Sequence, residues 1–264
     1  MTATSSTSPT SPTPVLQVRD AAKRFGAVRA LDGVSFDVGR GEVVALLGDN
    51  GAGKSTLIKA ISGVHRLDAG SVVLDGVDIT AAGAMAVRAH GVETVYQDLA
   101  LFDNLDPAAN FFAGRELAGP SRLPRALRLM RHRQMTDRTR ELLDRLQVSL
   151  PDLDAPVALM SGGQRQAVAV ARAVAFSSKL VILDEPTAAL GLRESARVLD
   201  LVRRLKDDGV AVILISHSMD QVMAVADRAI VLRRGRSVGE TAPTADNHER
   251  LVAWIVGAAG HQTI

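Results

Sequence analysis

Short runs rich in Val, Ile and Leu recur along the chain, and between them the apolar positions fall three and four residues apart. The runs are VVALL at 43–47, VETVY at 92–96, LVIL at 180–183, VAVILI at 210–215 and a fifth at 229–232. Such runs, alternating with helical periodicity, predict buried strands of a mostly parallel sheet covered by helices. Residues 15–40 differ, since they alternate in short pieces broken by glycine. That pattern predicts a small antiparallel β subdomain ahead of the parallel core. From 98 to 160 the β signal vanishes and a helical, Arg-rich segment takes over, which reads as an inserted helical subdomain. Near the end, LVAWIVGAAG reads as a short amphipathic helix that packs on the core. The expected organisation is a tail at 1–14 and one α/β domain at 15–264. Within that domain the core is 15–97 and 161–242, the helical subdomain is 98–160 and the C-terminal helix lies in 243–264.

Composition narrows the function classes. A chain of 264 residues with 47% apolar content can bury the core of one large α/β domain with an insertion, or those of two small domains. The opening MTATSSTSPTSPTP has no basic start and no apolar run, so a disordered tail is expected there rather than a signal peptide or anchor. The apolar runs fall far short of the roughly 20 residues that cross a bilayer, so any membrane role needs a partner subunit. The absence of cysteine excludes a disulfide framework and thiolate chemistry. Lys and Arg (31) nearly balance Asp and Glu (29), and aromatics are 3%, which gives no support to a nucleic-acid partner. Arg122, Arg125, Arg128 and Arg131 recur every third residue around Pro124. They form either a solvated face or a surface for acidic lipid headgroups or a membrane subunit.

Candidate chemistry sits at the strand ends. GDNGAGKS at 48–55 fits G-x-x-x-x-G-K-[ST], follows an apolar strand and opens a helix. Gly48, Gly51 and Gly53 let the backbone wrap phosphate, Lys54 neutralises its charge, Ser55 offers a hydroxyl to Mg²⁺ and Thr56 can bond the α-phosphate. LVILDEP ends in Asp184 and Glu185 at the carboxyl edge of the sheet. Asp184 suits the Mg²⁺ shell, and Glu185 suits orienting and deprotonating a water. Gln97 and His217 fall at two further strand ends, where neutral hydrogen-bonding side chains could sense a γ-phosphate. In LMSGGQRQ at 159–166, a serine N-cap followed by glycines predicts a second anion site at a helix mouth.

The order GDNGAGKST, Gln97, LMSGGQRQ, LVILDEP, AALG, His217 resembles the ATP-binding subunit of ABC transporters over about residues 15 to 240. The resemblance implies a P-loop NTPase core with ATP and Mg²⁺ as cofactors. It implies nucleotide binding by Gly48, Asn50, Gly51, Gly53, Lys54, Ser55 and Thr56, and metal binding by Ser55, Gln97 and Asp184. Catalysis would fall to Glu185, His217 and Gln97. Ser161, Gly162, Gly163 and Gln164 would hold the γ-phosphate of ATP bound to the other subunit of a head-to-tail homodimer. Phe25 would stack on adenine, although as a residue it fits the core equally well. AALG departs from the family's S-A-L-D, with Gly191 in place of the aspartate, either removing a cross-dimer contact or serving a turn at positive φ.

ETVYQDLALFDNL and EPTAALGLRES are similar to ATPases of monosaccharide importers of the fructose, ribose and xylose type. That similarity implies peripheral attachment at the cytoplasmic face of the cell membrane. The partners would be transmembrane sugar permease subunits and, through them, a solute-binding protein. A soluble ABC ATPase of nucleic-acid repair or translation would show tandem cassettes or long coiled-coil insertions, and neither is present. A P-loop small-molecule kinase would need an acceptor pocket and a lid but no SGGQ.

Overall fold

The computed structural model describes residues 14–118, 130–146, 148–176, 179–188 and 190–258. The 1–14 tail, apart from Pro14, lies outside these residues, as do Arg122, Arg125, Arg128 and the last six positions.

Two sheets carry the molecule. β1 (Leu16–Phe25) and β2 (Val28–Val38) form a long hairpin; β3 (Val43–Leu47) then enters the second sheet and is followed by α1 (Lys54–Ile61). The chain returns to the first sheet as β4 (Ala69–Leu74) and β5 (Val77–Asp78), giving the antiparallel order β2-β1-β4-β5. The antiparallel sheet is therefore not confined to 15–40 as the sequence pattern predicts. Pairing Leu16 with Leu74 and Val18 with Val72 buries apolar side chains that neither segment could cover alone. Asp75 and Gly76, at φ 49° and 79°, close the β4–β5 hairpin as a two-residue Asp-Gly turn, whose left-handed geometry matches strand twist.

The second sheet adds α2 (Ala84–Ala89) then β6 (Val92–Val95), β7 (Leu180–Asp184), β8 (Ala211–Ile215), β9 (Arg228–Arg233) and β10 (Arg236–Thr241). Its order is β10-β9-β3-β8-β7-β6, parallel throughout except for β10. β3 and β8 are buried at every position, as strands covered on both faces must be. One face packs on α1 and the antiparallel sheet through Leu46, Leu57, Ile58 and Ile61.

Between β6 and β7 lie α3 (Pro107–Phe112), α4 (His132–Arg145) and α5 (Gly162–Phe176). Asp106 caps α3 by accepting from the Ala109 N–H at 2.8 Å, with Pro107 at the first helical position. α5 is apolar on two faces. Ala169, Val170 and Ala173 join the sheet-side cluster with α6 (Leu192–Asp207), while Val168 and Ala171 join Phe111, Phe112, Met135 and Leu143 of the helical insert. Arg131 precedes α4 and bonds Gln134 at 3.2 Å. α7 (Met219–Val225) and α8 (His248–Val256) complete the fold, with Leu251 of α8 buried beside Val222 and Val231. No helix among the described residues is long and apolar enough to cross a membrane.

Candidate phosphate-binding site

Parallel strands aim their carboxyl ends at one edge of the sheet, and the candidate residues follow those ends. The 48–53 loop leaves β3, His217 follows β8, Asp184 and Glu185 end β7, and Gln97 follows β6. The loop is fixed by close approach of backbone. At Gly48 (φ 144°) a Cβ would lie 2.3 Å from the Leu232 carbonyl oxygen, and at Gly53 (φ 108°) 2.6 Å from that of Ala30. Only glycine fits either place. Asn50, Gly51 and Ser55 are exposed and Thr56 is half-buried.

Lys54 starts α1 with its side chain folded into the loop. Its Nζ donates to the carbonyls of Gly48 (2.7 Å) and Asp49 (3.1 Å). Burial pushes its pKa down, opposed by the charges of Glu185, Asp184 and Asp49. The first turn of α1 has no acid and no side-chain cap, so free N–H groups and one ammonium share a small volume. That donor set fits a phosphate chain.

Two carboxylates face this cation from β7. Burial raises the pKa of Asp184, opposed by Lys54, His217 and Lys59. Burial also raises that of Glu185, opposed by the charge and backbone N–H of His217 and reinforced by Asp184. Glu185 sits at φ 52°, a left-handed conformation that costs a non-glycine residue about 1–2 kcal/mol. Its N–H donates to the Ile215 carbonyl at 3.0 Å, so the β7–β8 ladder holds the strained residue. His217 Nε2 is 3.3 Å from Glu185 Oε1, near enough for charge attraction but not aligned as a hydrogen bond, and that buried oxygen has no hydrogen-bond partner among the described residues. The Ser55 hydroxyl and the Asp184 carboxylate are hard oxygen donors of the kind Mg²⁺ takes.

Sequence reasoning missed the residues that brace these groups. Gln221 Oε1 accepts from Thr187 Oγ1 (2.5 Å) and Ser216 Oγ (3.1 Å), tying the turn after Glu185 to the turn that carries His217. The signal was present in Ser218-x-x-Gln221, a helix-start pattern, and Ser218 does cap α7.

The Ser161 turn is a reciprocal cap. The Ser161 N–H donates to Gln164 Oε1 at 2.9 Å, and the Gln164 N–H to Ser161 Oγ at 3.3 Å. Ser161 and Gly162 are exposed. Ser161, Gly163, Gln164 and Glu194 border a cavity of about 390 Å³ that none of the strand-end residues named above lines. Phe25 is 46% exposed, edge-on to His65 at 5.3 Å, which removes the core reading of that residue. Gly191 has φ −68° and ψ 170° at the N-cap of α6, so the expectation of a positive-φ turn is overturned.

Residues 31–188 match the family model described as ABC transporter. The chain belongs to the ABC transporter family. It is 49% identical over 224 residues to the xylose/arabinose import ATP-binding protein of Sulfolobus acidocaldarius, covering 85% of this chain and 86% of that one. To the fructose import ATP-binding protein of Rhizobium meliloti it is 45% identical over 246 residues, covering 93% and 95%. A ribose import ATP-binding protein of Streptomyces coelicolor is 42% identical over 250 residues, 95% of this chain but 48% of the relative. Among solved structures, a nucleotide-free ATP-binding cassette from an ABC transporter is similar at TM-score 0.78 and 26% identity, covering 94% of this chain and 100% of that one. The α/β architecture of this ABC transporter family member, antiparallel sheet and helical insert included, is that of the ATP-binding cassette.

Proposed function

We propose that the chain is the ATP-hydrolysing, energy-coupling subunit of an ABC-type sugar importer. The observation that carries this is a buried lysine in a glycine-walled loop, under the direct electrostatic influence of two carboxylates at the end of β7. Relatives named as sugar import ATP-binding proteins, aligned over most of both chains, support the transported class. The division proposed is a core of 15–97 and 161–242, a helical subdomain of 98–160 and a C-terminal helix within 243–264.

In this reading Gly48, Asn50, Gly51, Gly53, Lys54, Ser55 and Thr56 bind the phosphates of ATP, and Phe25 packs on the base. Ser55, Gln97 and Asp184 hold Mg²⁺, which when bound neutralises charge on the phosphate oxygens. Glu185 orients water and takes its proton, a task suited to a carboxylate whose pKa is raised. His217 fixes the γ-phosphate side of the site and partly compensates the Glu185 charge. Ser161, Gly162, Gly163 and Gln164 serve the ATP of a second copy; in support, Ser161, Gly163 and Gln164 border a cavity that Lys54 does not line. The subunit attaches peripherally to transmembrane sugar permease subunits at the cytoplasmic face of the membrane, and a solute-binding protein delivers the sugar from the other side.

The test is Glu185→Gln, which keeps ATP binding and lowers hydrolysis at least about a hundredfold by removing the base. Lys54→Ala loses binding itself. Hydrolysis at the normal rate by the Glu185→Gln protein would remove Glu185 from this role.

A further inference from the structure

Gln97 stands on a turn whose backbone is held from both sides. On one side the Tyr96 hydroxyl is 2.9 Å from Ser62 Oγ, at the C-cap of α1. On the other, Leu99 and Ala100 take φ of 61° and 46° although neither is glycine. In each, the Cβ crowds a carbonyl oxygen, and such residues persist only where their surroundings hold them. Arg172 of α5 does the holding. Its Nη1 donates to the Ala100 carbonyl at 2.8 Å and its Nη2 to the Leu99 carbonyl at 3.1 Å. A planar guanidinium reaches two successive carbonyls in fixed geometry, and an ammonium does not.

The surroundings of Arg172 show how much these carbonyls matter to it. Burial and the nearby charge of Arg88 disfavour its cation, Glu93 favours it, and Arg115 disfavours it further. Glu93, buried on β6, is already paired with Arg115 and, at 3.3 Å, with Arg88. Two backbone carbonyls are therefore the direct partners that stabilise the Arg172 cation in this position. Gln97 itself is exposed and makes no side-chain hydrogen bond among the described residues, so its placement comes from the backbone of the turn.

We propose that Arg172 is a positioning residue for Gln97, clamping the left-handed Leu99–Ala100 pair and so fixing the turn to the helix that begins just after Ser161. The inference rests on the assignment of Gln97 to the metal and water shell. Because α5 is continuous from Gly162 to Phe176, a shift of the 161–164 turn reaches the carbonyls beside Gln97 through this guanidinium, alongside the packing of Leu99 and Leu101 on the same helix.

The experiment uses the full chain with Arg172→Lys, alone and combined with Ala100→Gly. Arg172→Lys lowers kcat about 10- to 100-fold, the range expected when a catalytic group is displaced slightly by a distant change. KM for ATP stays unchanged, because the 48–56 loop is untouched. Adding Ala100→Gly recovers part of the lost kcat, since glycine adopts positive φ without a clamp. Hydrogen exchange, read independently of activity, speeds up at 96–101 in the Arg172→Lys protein while α1 stays protected. Unchanged exchange at 96–101 overturns the proposal, and so does a loss of kcat that Ala100→Gly leaves untouched, which would mark a general packing role. Glu185→Gln assayed in parallel separates the two claims: its failure to slow hydrolysis defeats the ATPase reading, while exchange at 96–101 still reports on the clamp.

Discussion

Glu185 combines a left-handed backbone, a buried carboxylate and an oxygen without a hydrogen-bond partner among the described residues, and Asp184 beside it is disfavoured as an anion by burial as well. These features cost the fold stability, and they have pH signatures. A carboxyl whose folded pKa is raised favours the fold while protonated, and that stability is lost as pH rises from the unfolded value through the folded one. Asp184→Asn therefore raises Tm at neutral pH, where the wild-type carboxylate carries its full cost. The gain shrinks as pH falls and vanishes below the unfolded pKa, where both states hold the proton. Thermal melts across that range check it; a lower Tm for Asp184→Asn at neutral pH would mean that attraction to Lys54 outweighs burial. For Glu185 in the proposed role of base the sign reads in kcat/KM, which reports groups of the free protein: the acid limb of that pH profile lies above the ordinary glutamate range, and titrating kcat/KM for ATP measures it.

At the scale of elements, Gly191 shows how a sequence departure is absorbed. As an N-cap in extended conformation it leaves α6 without a side-chain cap, and Asp is among the best residues for that place. Gly191→Asp keeps hydrolysis and shifts stability by only a few tenths of a kcal/mol, since Gly is itself a tolerated N-cap. Glu194, whose Oε2 lies 2.8 Å from the added Cβ, swings aside. A loss of many degrees in Tm would show that the start of α6 has no room for a side chain. The parallel strands were legible because burial on both faces writes itself as unbroken apolar runs, and the phosphate loop because Gly48 and Gly53 are forced by backbone contacts. β4 and β5 were not assigned, although Asp75-Gly76 between apolar residues is a hairpin signal, because β4 is buried only by pairing with β1, some fifty residues distant, and β5 is a short exposed strand that pairs with β4 alone. The Gln221 brace and the Arg172 clamp escaped because each joins segments remote in sequence through a pair of side-chain hydrogen bonds that no local periodicity encodes.

For the whole molecule, the proposed division of roles gives one chain two half-sites. Lys54, Asp184 and Glu185 share one sheet edge and Ser161, Gly163 and Gln164 border a separate cavity, an arrangement that suits the proposed site completed by two copies placed head to tail. ATP would join the copies by being held from both sides, and hydrolysis would release them, which is the differential binding that a conformational cycle needs. Mixing a tagged Lys54→Ala chain with a differently tagged Ser161→Arg chain tests this most directly. Each variant alone lacks half of every site, but in the mixed dimer the intact loop of the second chain meets the intact Ser161 turn of the first. Purified mixed dimers, confirmed by sequential pull-down on both tags, are predicted to occlude ATP and regain hydrolysis that neither parent shows; mixed dimers that do neither would contradict the shared site.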